Sequence, residues 1–385
     1  MTPVELSRTV LRAVRRAVDE GELRVAVPER AVVTVPGPGG CGDYATNIAL
    51  QLARPAGEPS LRVAEILRPH LVDADGVADV VVTGPGFINI SLRDTAPAAL
   101  VEEILRRGTR YGFADGPGRH AGHGRHSGHR GRSEPDGRGR PDGQGPPRAC
   151  SSHGDLFGHV LQLHCAHDVR AVVVTDVLAR LLRSQGALVR TSCEGRPEPE
   201  WEAVLGVRVD AHGSADAPAP LDVGVRPVPA PADPLPLGRD AARWALLHPA
   251  GHDRPRITDE HLVQRESNPL FRVRYAHART RALSRNAADL GFAAEPGDVR
   301  HDVTALLADH PRVLARAAAH RAPDRLARHL VSVADAVLPL LPAVLPRGAE
   351  KPSAAHRARL ALAEAAGTVL AGGLSLLGID APEHL

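Results

Sequence analysis

His164 and His167 stand three residues apart in the run His164-Cys165-Ala166-His167, and nine residues further on comes Asp176-Val177-Leu178-Ala179-Arg180-Leu181-Leu182. Imidazoles at the N-terminal end of a helix, where backbone N–H groups point outward, can meet a phosphate, and residues three apart share one helix face. A second concentration of reactive types lies at 265–285. There Arg265, Arg272, Arg274, Arg279, Arg281 and Arg285 stand against Glu266 alone, a local charge of +5. Basic side chains gathered on one helix are the usual footprint of phosphate binding; a solvated surface helix has the same composition. A third set is Phe87 and Asn89 in Gly84-Pro85-Gly86-Phe87-Ile88-Asn89-Ile90. A flat ring beside an amide can stack on an unpaired base and bond its edge; a core phenylalanine and a turn asparagine would read the same way.

Metal chemistry has less support. Cys41, Cys150, Cys165 and Cys193 are scattered with no Cys-X-X-Cys pair, which fits neither a disulfide framework nor a zinc ribbon. His120, His123, His126 and His129 recur every third residue, but glycines among them give no fixed ligand geometry, so a flexible polar tract is favoured over a metal site. No metal is expected.

The elements that must position these residues fall into three units and a linker. The 385 residues, 43% apolar with a net charge of +2, suffice for two or three domains. In 1–113, Val4, Leu11, Val14 and Val18 have helical spacing, 32–35 and 80–83 are short β-branched runs, 87–92 alternates as a strand and a helix follows at 96–108, an α+β pattern. Residues 114–149 lose almost all apolar content and predict a disordered linker. In 150–236, the apolar β-branched run 171–174 precedes a helix expected over 176–184, which Gly186 stops. In 237–385, Leu326, Leu330, Val333, Val337, Leu340 and Val344 step by four and three and predict a helical bundle, in which Gly372 and Gly373 allow close helix contact. The fold class expected is multidomain α+β and α: an N-terminal α+β domain, a truncated Rossmann-like α/β centre and a C-terminal helical bundle. The start carries no apolar signal region, and the richest apolar run, 337–346, is broken by Pro339 and Pro342. A cytoplasmic protein with no membrane partner is therefore expected.

Several of these segments resemble arginyl-tRNA synthetases. Asn268-Pro269 leading into Tyr275-Ala276-His277-Ala278-Arg279 is similar to the first helix of the family's DALR-type anticodon-binding domain, and the C-terminal run Ala381-Pro382-Glu383-His384-Leu385 is similar to its end. Gly42-Asp43-Tyr44-Ala45-Thr46-Asn47 and 84–90 resemble the family's N-terminal domain, which rests on the tRNA elbow. The run 164–167 resembles the His-Val-Gly-His nucleotide signature of class I synthetases, with Ala166 in place of glycine, and Gly238 to Leu247 resembles the segment leading out of the catalytic fold. The resemblance implies tRNA contacts by Arg272, Arg274, Tyr275, His277, Arg279, Phe87 and Asn89, with arginine tRNA the expected partner.

Two features set the chain apart from an active member. It has one lysine, Lys351, and one methionine, so the lysine-rich loop that closes the family's ATP site has no counterpart. Only 70 residues separate His167 from Gly238, room for about two βαβ crossovers of roughly 30 residues each. The resemblance thus points to a side branch of anticodon-binding relatives with a shrunken catalytic centre, in which His164 and His167 form a degenerate signature and no cofactor is expected. Three functions are compatible: a non-catalytic tRNA-binding protein, with a full-length arginyl-tRNA synthetase as a possible partner; a divergent arginine–tRNA ligase needing ATP and magnesium; or a helical protein-interaction module.

Overall fold

The structure is a computed structural model that describes residues 3–34, 36, 41–92, 96–114, 158–213 and 223–385. The expected linker, with its four histidines, lies outside the described residues apart from Ala114, as does Cys150.

The first unit runs α1 (Pro3–Asp19), β1 (Val33–Thr34), β2 (Tyr44–Thr46), α2 (Ile48–Ala56), α3 (Ser60–Val72), β3 (Val77–Thr83) and β4 (Phe87–Leu92). Its four strands form an antiparallel sheet in the order β1-β2-β4-β3. Of the helical stripe expected in α1, Val14 is buried while Leu11 and Val18 are half-buried at its edge; the innermost face is Leu6, Val10 and Val14, which pack with Leu67 and Leu71 of α3 and with Ile88 and Ile90 of β4.

The next helix, α4 (Ala96–Arg107), and the 3-10 turn Gly108–Arg110 that follows it belong to a different core. Leu100, Val101, Ile104 and Tyr111 are buried with the central and C-terminal residues. The apolar cores therefore divide after Leu92, ahead of the boundary expected at 113. The cause is the tail of the chain: the turn reaches α11 (Ala354–Leu377) so closely that a Cβ on Gly372 would lie 2.7 Å from the carbonyl oxygen of Thr109. Gly373 lies equally tight against Leu330. Gly372→Ala is expected to lower stability by about 1–3 kcal/mol, as overpacking does when the obstacle is backbone. Thermal and urea unfolding of the variant would check this.

The centre is β5 (Val160–Cys165), α5 (Val169–Ser184), β6 (Leu188–Cys193), α6 (Pro199–Leu205), β7 (Ala211–His212) and β8 (Val223–Val225). All pairings are parallel, in the order β7-β6-β5-β8. This is the 3-2-1-4 arrangement of half a doubly wound sheet, with α5 in the connection from β5 to β6 and α6 in that from β6 to β7. One local expectation is corrected. The valine-rich run 171–174 is the first part of α5, not a separate element before a helix at 176. Asp168 caps that helix by accepting from Ala171 N at 3.0 Å. Val172, Val173, Val177, Leu178 and Leu181 are all buried, and burial between sheet and helices outweighs the weak β preference of valine.

The remaining helices are α7 (Gly238–Leu247), α8 (Pro269–Asp289), α9 (Asp302–Ala319), α10 (Pro323–Val337) and α11. They share one continuous core with the central sheet. The proline-rich segment before and after α7 is held by Arg170 of α5, a fully buried residue. Its guanidinium donates to the carbonyls of Leu246, Val228, Asp253, Pro249 and Ala250. The stretch Pro323–Ala343 and α11 are long and apolar enough to cross a membrane by length and composition, and 50% and 78% of their apolar windows are buried inside the protein, the state of core helices.

Candidate nucleic-acid interface

Helix α8 begins as its sequence demands. Asn268 is extended, accepts from Leu270 N at 3.1 Å, and donates to the carbonyls of His261 and Val263 at 2.9 Å each. Pro269 follows at the first helical position, where no N–H is needed. The Asn-Pro start is therefore a capping device that fixes the direction of the helix.

Phe271, Tyr275 and Arg279 recur every fourth residue and form a column along α8. The Phe271 and Tyr275 rings lie 5.5 Å apart at 19°, and the Arg279 guanidinium sits 5.9 Å from the Tyr275 centroid. Tyr275 keeps 36% of its surface open. A column of π faces with one exposed member and a planar cation is a platform on which an unstacked base can continue the stack. Beside it opens a cavity of about 320 Å³ lined by Phe271, Arg274, Asp240 and Asn268.

The arginines of this helix are less free than their number suggests. Arg272 pairs with Asp335 at 2.8 Å, Arg274 with Asp240 at 3.5 Å, and Arg281 and Arg285 with Glu383 at 3.2 and 3.8 Å. Arg265 and Arg279 carry no ion pair among the described residues. The five excess charges are therefore largely met by carboxylates far away in sequence, and Arg279 is the member of the column left to face a phosphate.

Two expected RNA-contact residues are corrected. His277 is buried, and its Nδ1 lies 2.9 Å from the carbonyl oxygen of Pro382. Burial, with Arg281 adding to it, holds its pKa below the usual histidine value despite the bond to Pro382. It is a donor that pins the C-terminal segment onto α8. Asn89 is only 2% exposed, and its amide donates to Val81 O at 3.2 Å and Thr83 Oγ at 2.7 Å. That amide closes its own hairpin. Phe87, at the start of β4, is 42% exposed and remains available for stacking.

The two signature histidines do not share a helix face, a further correction. His164 is inside β5, buried, with Nδ1 2.9 Å from Ser192 Oγ of β6; its Nε2 has no hydrogen-bond partner. His167 lies in the turn before α5, half-exposed, with Nε2 2.8 Å from the Arg196 carbonyl and its ring 5.2 Å from Trp201. In open α/β sheets a ligand enters the crevice at the carboxyl ends of the strands where strand order reverses, here between β5 and β8. Arg226, just past β8, forms a 2.6 Å ion pair with Glu194, just past β6. Glu194 N also bonds the Cys165 carbonyl at 3.0 Å. The crevice is thus crossed by the protein's own side chains.

Sequence reasoning missed what Asp176 does. Its carboxylate accepts from Arg243 at 2.6 Å and pairs with Arg180 at 3.2 Å. The Asp-Val-Leu-Ala-Arg run of α5 and the Gly-Arg-Asp-Ala-Ala-Arg run of α7 are two halves of one buried lock. An arginine inside the apolar run 241–247 was the available signal.

Family models match two parts of the chain: the arginyl-tRNA synthetase N-terminal domain over residues 5–92 and the DALR anticodon-binding domain over 273–385. The arginine–tRNA ligase of Frankia alni is 28% identical, and that of Renibacterium salmoninarum 29%, with both chains covered fully. The first alignment runs over 555 positions, 170 more than the 385 residues of this chain. Among solved structures, Thermus thermophilus arginyl-tRNA synthetase superposes with a TM-score of 0.62 at 15% identity, covering 100% of each chain. The Plasmodium falciparum enzyme gives 0.64 at 8% identity, covering 100% of this chain and 99% of its own.

Proposed function

The chain belongs to the arginyl-tRNA synthetase family, and we propose that within it this protein binds tRNA, arginine tRNA in the first place, without charging it. The observation that carries the reading is the Phe271–Tyr275–Arg279 column, open to solvent on the helix where the anticodon-binding domain begins. Phe87 on the N-terminal domain offers a second contact. Two weak contacts on one chain reinforce each other through effective concentration.

Residues around the crevice do not fit a nucleotide. The Arg226–Glu194 pair crosses it, and Ala166 adds a side chain where the signature has none. Adenylate formation also needs cations where pyrophosphate leaves, and Arg226 at this crevice is already paired with Glu194.

A second reading is an active arginine–tRNA ligase. It is favoured by the relatives, which carry that name and cover the whole chain. Arginine-dependent ATP–pyrophosphate exchange in the presence of tRNA separates the two. No exchange is expected; exchange that disappears in His164→Ala would establish the ligase instead. For binding, Tyr275→Ala is expected to cost about 1–3 kcal/mol of tRNA affinity, the worth of one base stacked on a ring. Filter binding with arginine tRNA checks this, and equal affinities for variant and parent would remove the column from the interface.

A further inference from the structure

The turn between α9 and α10 contains Arg321 at φ 54, the only non-glycine residue at positive φ among the described residues. Arg321 N bonds Ala318 O and Ala322 N bonds Ala317 O, the hydrogen-bond pattern of a helix end that glycine ordinarily occupies. An arginine there carries backbone strain that a glycine would not. Strain kept at one position directs attention to what its side chain does.

Arg321 lines a cavity of about 780 Å³ together with Arg316, Arg325 and Arg328, against the carboxylates of Asp253 and Asp324. Asp324 is buried and taken by Arg328 at 3.2 Å. Arg316, Arg321 and Arg325 are exposed and have no ion pair among the described residues. Partial desolvation lowers the pKa of Arg316, and Arg312, Arg325 and Arg30 press it the same way while Asp309 opposes. Arg30 belongs to the N-terminal unit, and Arg312 of α9 donates to the Val33 carbonyl of that unit at 3.3 Å. The cleft itself is lined by residues 250–253 beyond α7 and by residues of α9, α10 and the turn between them.

We propose that the cleft of Arg316, Arg321 and Arg325 holds the phosphodiester backbone of the bound RNA where it passes the turn between α9 and α10. Guanidinium forks match phosphate oxygens bidentately, and crowded like charges are relieved when a polyanion neutralises them. The inference rests on the reading that the chain binds tRNA.

The test is filter binding of the full chain to arginine tRNA over roughly 50–200 mM salt. Arg316→Glu with Arg325→Glu is expected to weaken binding at least about tenfold at the low end. It should also reduce the slope of log affinity against log salt by about 2, one for each phosphate that no longer meets an arginine. Arg321→Gly keeps the turn and relieves its strain, so its thermal midpoint should hold or rise while its affinity falls. A parent chain that does not bind tRNA would sink the functional reading and this one together. A parent that binds, with both variants matching it in affinity and salt slope, would overturn the cleft alone.

Discussion

Arg243→Ala should lower the free energy of unfolding by about 3–5 kcal/mol, the loss seen when one member of a buried ion pair is removed. Arg243 is fully buried. Its Nε donates to the Leu377 carbonyl at 2.8 Å, one terminal nitrogen to the Leu205 carbonyl at 2.8 Å, and the other to Asp176 at 2.6 Å. One side chain thereby joins α5, the end of α6, α7 and the end of α11. Burial pushes its pKa down, and Asp176 opposes that push. Removing the guanidinium leaves two carbonyls unmet and a nearly buried carboxylate with Arg180 alone. Lysine is a poor replacement, because one ammonium does not reproduce a planar fork aimed at three acceptors on three elements. Urea unfolding of Arg243→Ala, Arg243→Lys and Asp176→Asn measures this; a loss below about 1 kcal/mol in the alanine variant would show that the lock is not closed in solution.

That lock bears on what happened to the centre of the molecule. Runs that resemble an enzyme's signature can persist because they hold helices together. Asp176 and Arg243 do so, as does His277 by fastening Pro382. Such residues say that the two outer domains are still held on a common body. They do not by themselves argue for catalysis, so the resemblance around 164–182 and 238–247 is weaker support for the ligase reading than its extent suggests.

Much of the architecture was legible because its causes are local. Alternation in 87–92 marks β4, although 88, 89 and 90 are all buried; the spacing of Leu11, Val14 and Val18 marks α1, although its innermost face is Leu6, Val10 and Val14; and Asn-Pro marks the start of α8. Two glycines in α11 correctly signalled close approach, although not that one neighbour would be the turn at Thr109. What stayed hidden depends on partners far along the chain. The +5 stretch gave no sign that Glu383, Asp335 and Asp240 would meet its arginines. A helix was expected at 96–108, but nothing local told that its apolar side would turn toward the C-terminal core. Asn89 and Phe87 sit two apart in one strand, and the pattern of that strand did not tell which of the two would be covered. At Gly378 the need is also remote: at φ 71, any Cβ there would strike the Arg243 guanidinium.

Acid should destabilise the helical body through two histidines that the RNA-binding reading does not use. His310 of α9 and His329 of α10 are buried, with ring centroids 5.3 Å apart, and Tyr111 stacks on His310 at 6.0 Å. His310 Nδ1 and His329 Nε2 have no hydrogen-bond partner. Burial lowers the pKa of His329 to about 4, with Asp309 opposing, and holds His310 well below the ordinary value, helped by His329. In the unfolded chain both titrate near 6.5. Above that pH neither state takes up a proton and the pair costs nothing. As pH falls below it, the unfolded chain binds protons that the folded one refuses, so stability drops by about 1.4 kcal/mol per pH unit for each such group. For His329 the loss continues until its own folded value is reached and totals about 3 kcal/mol; His310 adds to it. His329→Leu should therefore flatten the stability profile below neutral pH, and unfolding free energies at pH 7 and pH 5 should differ by about 2 kcal/mol less in the variant than in the parent. The same slope in both proteins would mean that water or a proton already reaches the pair in the folded state.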